Sequence, residues 1–369
     1  MTSILFTPVS IGKRTLPNRI TVAPMCQYSA SDGSMTDWHM MHLGSLAISG
    51  ASMLVIEATG VTPAGRITPH CVGLYSDVNE FAMKRVVDYV RGISPILLGV
   101  QLGHAGRKAS SHRPWDGHGA LQPGEGAWQT LAPSALPLAA GWPAPRAMSR
   151  DDMAQLTRAF VSSAQRAARI GLDFIEIHST HGYLLSEFLS PLANKRDDEY
   201  GGSLDNRMRY PLEVFRAVRA AFPADRAVGA KISGTDFADG GFTADDAVAY
   251  ARALQAEGCA YVTVSGGGVV LDAKIPVGPG YQVPYAERVR KETGITTGAV
   301  GLITDPQQAE AIIANGQADF ISLARAMLFN PRWPQHAAVA LGAELEYPPQ
   351  YQRAAPKAWR PGRTLGKVD

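Results

Sequence analysis

Apolar positions along this chain gather into short unbroken runs of strand length, at residues 20–25, 53–57, 96–102, 174–178, 228–233, 261–265, 297–300 and 320–323. A strand that is apolar on both faces belongs to a sheet covered on both sides, which is the condition of a parallel sheet flanked by helices. Most of the intervening segments carry a helical period, as at Met153, Leu156, Phe160 and Ala164, where one face repeats every three or four residues. Helix starts are marked by Ser149 with Asp152, by Thr243 with Asp246, and by Asp305 ahead of Pro306, each a capping residue in front of the first turn. Eight strand–helix units predict an α/β fold closed into a (β/α)8 TIM barrel. A doubly wound open sheet is the alternative.

Three regions exceed a minimal barrel: a hairpin around residues 12–17, an insertion over residues 103–148, and a proline-rich tail after Gly342. The expected organisation is therefore one barrel domain over residues 1–342 and a tail over 343–369. The insertion follows the third strand and contains Trp115, Trp128 and Trp142. A loop that long in a compact domain is usually functional or disordered, and here it is read as a cap over the catalytic mouth.

Composition narrows the partners. The 369 residues are 46% hydrophobic and 18% charged, with a formal charge of +2, so no polyanion-binding field spans the molecule. The one basic stretch, residues 353–367, is diluted by proline and tryptophan, and nucleic acid is excluded as a partner on charge grounds. Cys26, Cys71 and Cys259 are odd in number and far apart, which argues against a disulfide framework or a structural zinc site. No segment approaches the roughly 20 apolar residues of a membrane span, and no signal-peptide core is present. The expectation is a cytoplasmic protein with no membrane partner.

The densest polar chemistry is the run HSTHGYLLSEFLSPLANKRDDEYGGSLDNR at residues 178–207, directly behind an apolar strand. Catalytic groups of a barrel sit at such strand ends and in the loops that follow. His178 and His181 allow three readings: metal ligands, satisfied core histidines, or a pair of donors to a carbonyl or phenolate oxygen. A metal would need further ligands, and Glu57, Glu176 and Asp236 form no recognisable pattern with the pair. Tyr183 favours the oxygen-binding reading, because a phenol beside such a pair is a proton donor for a developing carbanion.

Barrels commonly bind phosphate with the loops after strands 7 and 8. Those loops begin here at Gly301 and at Ala324-Arg325, which offer close backbone approach, N–H groups and a forked guanidinium. Strands 1, 2, 3 and 5 contribute Pro24, Met25, Cys26, Gln27, Tyr28, Ala58, Gln101 and Lys231 to the same mouth. The Gln101 amide and Lys231 cation suit a flat heteroaromatic cofactor with a phosphate tail; taken alone, Cys26 reads as a small buried hydrophobe.

Several segments together resemble the Old Yellow Enzyme family of flavin-dependent ene-reductases over nearly the whole chain. They are APMCQYSA from Ala23, TDWHMMHLG from Thr36, IEATGVTPAGRI from Ile56, QLGHAGRK from Gln101, the run at 178–207, GPGYQVPYA from Gly278, AVGLI from Ala299 and LARAML from Leu323. Cys26 and the Trp359-Arg360 pair resemble the bacterial subgroup of xenobiotic reductases and thermophilic-like ene-reductases. The resemblance implies non-covalent FMN, with Pro24, Met25, Cys26, Ala58, Gln101 and Lys231 around the ring and Gly301, Ala324 and Arg325 near the phosphate. It implies a ping-pong cycle in which NADPH or NADH reduces the flavin and an activated alkene, such as an enone, enal or nitro compound, then reoxidises it. His178 and His181 would bind the substrate oxygen, Tyr183 would supply the proton, and Tyr28 and Ile67 would touch substrate. A homodimer or homotetramer is implied, with Trp359 or Arg360 reaching a neighbour's site. The chain departs from the family pattern at Lys231, where Arg is usual, and at Gly103, Thr180 and Ala324. A metal-dependent barrel hydrolase using the two histidines is the alternative from another class.

Overall fold

The eight apolar runs form the eight parallel strands of a closed barrel in the computed structural model, which describes residues 3–117 and 119–363. In chain order the strands are β1 (Ile20–Val22), β2 (Met53–Gly60), β3 (Leu97–Gly103), β4 (Phe174–Ser179), β5 (Ala227–Ser233), β6 (Val262–Ser265), β7 (Thr297–Ala299) and β8 (Phe320–Leu323). Each pairs with its successor, and β8 returns to β1 through Ile321–Ile20, Ser322–Thr21 and Leu323–Val22. Outside the strands run α1 (Asp37–Ala47), α2 (Asp77–Ile93), α3 (Arg150–Arg169), α4 (Leu184–Leu189), α5 (Leu204–Ala221), α6 (Ala244–Ala256), α7 (Val283–Thr293), α8 (Pro306–Ala314), α9 (Arg325–Phe329) and α10 (Trp333–Ala340).

The predicted starts of α3, α6 and α8 are capped as expected. Ser149 and Asp152 bond each other's backbone N–H groups, as do Thr243 and Asp246, and the Asp305 carboxylate accepts from Gln308 N at 2.8 Å. Two strand ends differ from the sequence reading by more than one residue. β1 stops at Val22 because its ladder ends where Ala23 N donates to Leu323 O, and Pro24 has no N–H to continue it. β2 runs on to Gly60 past a register shift between Ile56 and Ala58, a bulge that re-aims the strand beside the mouth.

Inside the barrel, side chains alternate in and out with period two. The floor is an interlock of rings and glycines. Phe174, Tyr261 and Phe320 pack edge to face, and each lies over a glycine of a neighbouring strand. A Cβ on Gly99, Gly229 or Gly298 would come within 2.4, 2.2 or 2.3 Å of the Phe174, Tyr261 or Phe320 ring respectively. The antiparallel pair Val9–Ile11 and Arg14–Leu16 places Ile11 and Leu16 in this same cluster with Met53 and Val55, closing the N-terminal end. One period above the floor the interior turns polar, with Gln101, Glu176, Lys231 and Thr263.

The insertion sits over the opposite end. Trp115 packs edge-on against Tyr28 at 5.7 Å, and Trp128 Nε1 donates to Ala64 O at 3.0 Å, so it touches the loops after β1 and β2. The tail runs the other way. Residues 344–349 line a cleft with Asn18, Ser52 and Leu97 at the N-terminal end of the strands. The part of the basic stretch beyond residue 363 lies outside the described residues. Among the described residues no helix is long and apolar enough to cross a membrane.

Overpacking a filled core costs about 1–3 kcal/mol, whereas Gly to Ala in an exposed helix interior gains roughly 0.5–1 kcal/mol. Gly229→Ala should therefore lower the urea unfolding midpoint, while Gly92→Ala in α2, where a Cβ meets nothing within 4 Å, should raise it. Equal midpoints for the two variants would refute the interlock.

Candidate active site

His178 is the penultimate residue of β4, and the loop behind the strand turns sharply to bring His181 and Tyr183 back over it. His181 adopts φ +63° and Gly182 φ +69°. Glycine is required at 182, since a Cβ there would lie 2.0 Å from the Gly268 carbonyl oxygen. The three rings then meet edge to face: His178 and His181 centroids are 5.3 Å apart, and His178 and Tyr183 are 4.8 Å apart. His181 Nε2 is 2.8 Å from Ser265 Oγ at the end of β6. Thr180 Oγ1, between the histidines, is 2.9 Å from Ser233 Oγ at the end of β5, so Thr180 ties the loop after β4 to the end of β5. Lys108 clasps the loop from β3's side. Its ammonium donates to His181 O at 2.8 Å and Gly268 O at 3.1 Å, 5.1 Å from the Tyr183 ring centre.

Burial fixes the protonation states. It pushes both histidines well below the usual imidazole range, helped for His178 by His181 and for both by Lys231 and Lys108. A neutral imidazole keeps one N–H donor and can hold an oxygen without being an acid. Burial holds the Tyr183 phenol well above its ordinary value, reinforced by Cys26, Tyr28 and Cys71. The Cys26 thiol rises for the same reason, with the Glu57 carboxylate adding to the effect. Tyr183 is thus a protonated acid and Cys26 a neutral thiol rather than a nucleophile.

Below the rings lies the polar layer. Glu176 Oε1 accepts from Gln101 Nε2 at 2.8 Å, and Oε2 accepts from Thr263 Oγ1 at 3.1 Å. Lys231, 5% exposed, pairs across strands with His178 and with Thr263. Among the described residues its ammonium has no hydrogen-bond partner. On β2, Glu57 faces His39 at 3.4 Å and accepts from Gln27 N at 3.1 Å.

The remaining predicted residues fall as follows. Ala58 and Ile67 line one cleft with His178 and Tyr183. Residues 24–28 follow β1, Gly301 with φ +114° follows β7, and Ala324 and Arg325 follow β8, so all open on the C-terminal mouth of the barrel. Arg325 is exposed, and among the described residues its guanidinium makes no ion pair. Trp359 is 44% exposed on the tail, whose nearby residues 355–357 line a cleft with α10; within one chain it is not part of this mouth. Lys108, Ser265, Glu176 and Thr263 carry weight that the sequence reading did not give them. The signal was period two: with His178 and Ser265 at the mouth, Glu176 and Thr263 must also point inward.

A buried ammonium with no hydrogen-bond partner, a carboxamide with one end anchored and the other free, and an unpaired guanidinium beside a glycine-bearing loop suit an anionic, planar, phosphate-bearing group. Among the described residues no three His, Cys, Asp or Glu side chains are grouped to hold a metal ion. Fold and donor set thus define a barrel enzyme built around a phosphate-bearing cofactor. Residues 4–344 match the model of the NADH:flavin oxidoreductase / NADH oxidase family. An NADPH dehydrogenase of Geobacillus thermodenitrificans (strain NG80-2) is 43% identical over 362 residues, covering 98% of this chain and 100% of that protein. One of Listeria innocua serovar 6a is 40% identical over 356 residues, covering 95% and 99%. Morphinone reductase superposes with TM-score 0.77 at 28% identity, covering 95% of this chain and 93% of its own. The chain belongs to this family, the Old Yellow Enzymes, and is an FMN-dependent oxidoreductase that uses NAD(P)H.

A histidine whose pKa falls on folding takes its proton less readily folded than unfolded. The stability it supports is present above the unfolded value of about 6.5 and is lost as pH falls toward the folded value. Burial puts His104 at about 4, and His42 also at about 4 with help from His39; His178 and His181 shift in the same direction. Burial raises Glu187 to about 8, which works oppositely and adds stability as pH falls from 8 toward the unfolded carboxyl value. The direct check is histidine NMR: His178 and His181 should keep neutral-imidazole shifts through pH 6.5, and a midpoint near that value in either ring would refute the assignment.

Proposed function

We propose that this protein reduces the C=C bond of activated alkenes, meaning enones, enals and nitroalkenes, and that it does so at the mouth formed by His178, His181 and Tyr183. The observation that carries the reading is the placement of a protonated phenol against a neutral histidine pair. The phenol centroid lies 4.8 Å from His178, above a buried cation. A metal-dependent hydrolase would leave the phenol without a task.

FMN would lie with its ring against Pro24, Met25, Cys26 and Ala58, its polar edge toward Gln101 and Lys231, and its phosphate at Gly301, Ala324 and Arg325. The chemistry the cofactor supplies when bound is hydride transfer, from NADPH or NADH in one half-reaction and to the alkene β-carbon in the other, which makes the cycle ping-pong. His178 and His181 donate N–H bonds to the substrate's carbonyl or nitro oxygen. Negative charge grows on that oxygen as hydride arrives, so the two bonds strengthen in the transition state and act on rate as well as binding. Tyr183 gives its proton to the α-carbon. The Lys108 ammonium, 5.1 Å from the ring centre, stabilises the phenolate that remains. Tyr28 and Ile67 flank the substrate, and Trp115 braces Tyr28 from the cap. Cys26 tunes the cofactor's potential and contacts substrate.

A homodimer or homotetramer completes the reading, with Trp359 reaching a neighbour's mouth. The three cysteines are free, which fits action in the reducing cytoplasm.

The test is anaerobic. The purified yellow protein is bleached with NADPH and 2-cyclohexenone is added; return of the flavin band with formation of cyclohexanone supports the proposal, and no reoxidation overturns it. Tyr183→Phe should slow enone reoxidation about 10²–10⁴-fold, the range of a lost general acid, with NADPH reduction within about twofold of wild type. Truncation after Pro356 should change KM for the enone without loss of FMN, and unchanged kinetics would remove Trp359 from the site.

A further inference from the structure

Glu176 is a buried carboxylate that the reaction does not use. It is 1% exposed, in the middle of the barrel, and both of its oxygens accept hydrogen bonds, from Gln101 Nε2 and from Thr263 Oγ1. Two acceptor contacts fit the ionised form. The strand registers place it centrally: Gln101 is its partner on β3, Thr263 is the partner of Lys231 on β6, and Lys231 follows by two residues the Gly229 that pairs with Glu176 on β5.

Lys231 needs such a neighbour. The residue is 5% exposed, and among the described residues its ammonium has neither a hydrogen-bond partner nor a carboxylate within ion-pair distance. A buried uncompensated charge is costly. The other buried carboxylates are engaged elsewhere: Glu57 by His39 and Gln27, Glu187 by Arg107 N, and Asp236 by Ser190 and Phe242 N. Glu176 is the carboxylate that acts on the Lys231 ammonium to favour its charged form, against the desolvation that opposes it.

We infer that Glu176 is a positioning residue of the FMN site, whose carboxylate offsets the Lys231 charge from beneath and thereby sets the reduction potential of the bound flavin. The inference rests on the reading that Lys231 and Gln101 face the flavin. Its sign follows from electrostatics: reduction adds electrons to the ring, so a more positive floor favours the reduced form. With the negative charge removed, Lys231 acts uncompensated and the potential rises. With Lys231 removed, it falls. A purely structural Glu176 would lower stability and leave the potential alone.

Glu176→Gln is the clean substitution, because glutamine keeps an acceptor for Gln101 and changes only the charge. Each holoprotein is equilibrated anaerobically with a reference dye, and FMN affinity is measured by titrating apoprotein and following flavin fluorescence. Glu176→Gln is expected to shift the equilibrium at least tenfold toward reduced FMN, about 30 mV for a two-electron couple. Lys231→Met is expected to shift it the opposite way and weaken FMN binding, and the double variant to lie near wild type. If Lys231→Met keeps wild-type potential and affinity, the reading that Lys231 faces the flavin fails. If Lys231→Met shifts the potential but Glu176→Gln moves it less than twofold, the inference is overturned while that reading stands. Where Glu176→Gln does not accumulate as folded holoprotein, the double variant decides, since it removes both charges together: a potential equal to that of Lys231→Met alone overturns the inference, and one returned toward wild type supports it.

Discussion

Everything at this site depends on the closure of eight strands whose side chains alternate in and out. Once β8 pairs with β1, every second residue of each strand must enter a space only a few side chains wide. That space is filled in tiers. Phe174, Glu176 and His178 climb one strand, and Tyr261, directly before β6, leads to Thr263 and Ser265 on it. The tiers change character from aromatic floor to charged layer to a mouth of histidine and serine within two periods. The glycines at 99, 229 and 298 make the floor possible, because each leaves the volume that a neighbouring ring occupies. Without a solid floor, the carboxylate and ammonium above it would be open to water from below and their coupling would weaken.

Exclusion of water has a larger effect here than any single charge. For His178, His181, Tyr183, Cys26, Glu57, Glu176 and Lys231 alike, burial is the leading cause of the shift in protonation equilibrium, and neighbouring charges only modify it. The result is a mouth of neutral donors over a layer that holds a carboxylate and an ammonium, Glu176 and Lys231, near each other but not in contact. Neutral imidazoles and an intact phenol are what an oxygen-binding, carbon-protonating site requires. Imidazolium rings would bind resting anions too tightly, and a phenolate would have no proton to give.

The barrel was readable from the sequence because eight apolar runs separated by helical periods admit few other solutions, and because Ser149, Thr243 and Asp305 mark their helices with local chemistry that tertiary structure does not override. The run at residues 178–207 was readable as a site for a similar reason, since His, His and Tyr within six positions behind a strand are hard to reconcile with packing. What period alone did not expose was contact across loops. Lys108 lies seven residues past Gln101 in a motif already noted, yet its bonds to His181 and Gly268 join segments 73 and 160 residues away. No local pattern encodes such a bond. The end of β1 was overextended because Pro24 is apolar and continues the run, though it cannot continue the ladder. The tail's path was not legible either: residues 344–349 lie at the barrel's other end, away from the mouth.

The same long-range contacts explain how a strained turn can persist at the mouth. A non-glycine residue at positive φ costs on the order of 1–2 kcal/mol, and His181 bears this strain at the barrel mouth. The turn packs so closely that Gly182 faces the Gly268 carbonyl, and a Cβ on Gly268 would in turn meet His181 O at 2.7 Å. Hydrogen bonds from a charged donor contribute roughly 1.5–3 kcal/mol each, so the two from Lys108 are of the size needed to hold the turn, with Ser265 fixing the ring itself. The cost to Lys108 is visible in its own equilibrium, which burial lowers to about 8. A cation held there at the edge of neutrality braces the backbone of His181 and lies over the ring of Tyr183, so the residue that orients the loop also bears on the acidity of the proposed proton donor.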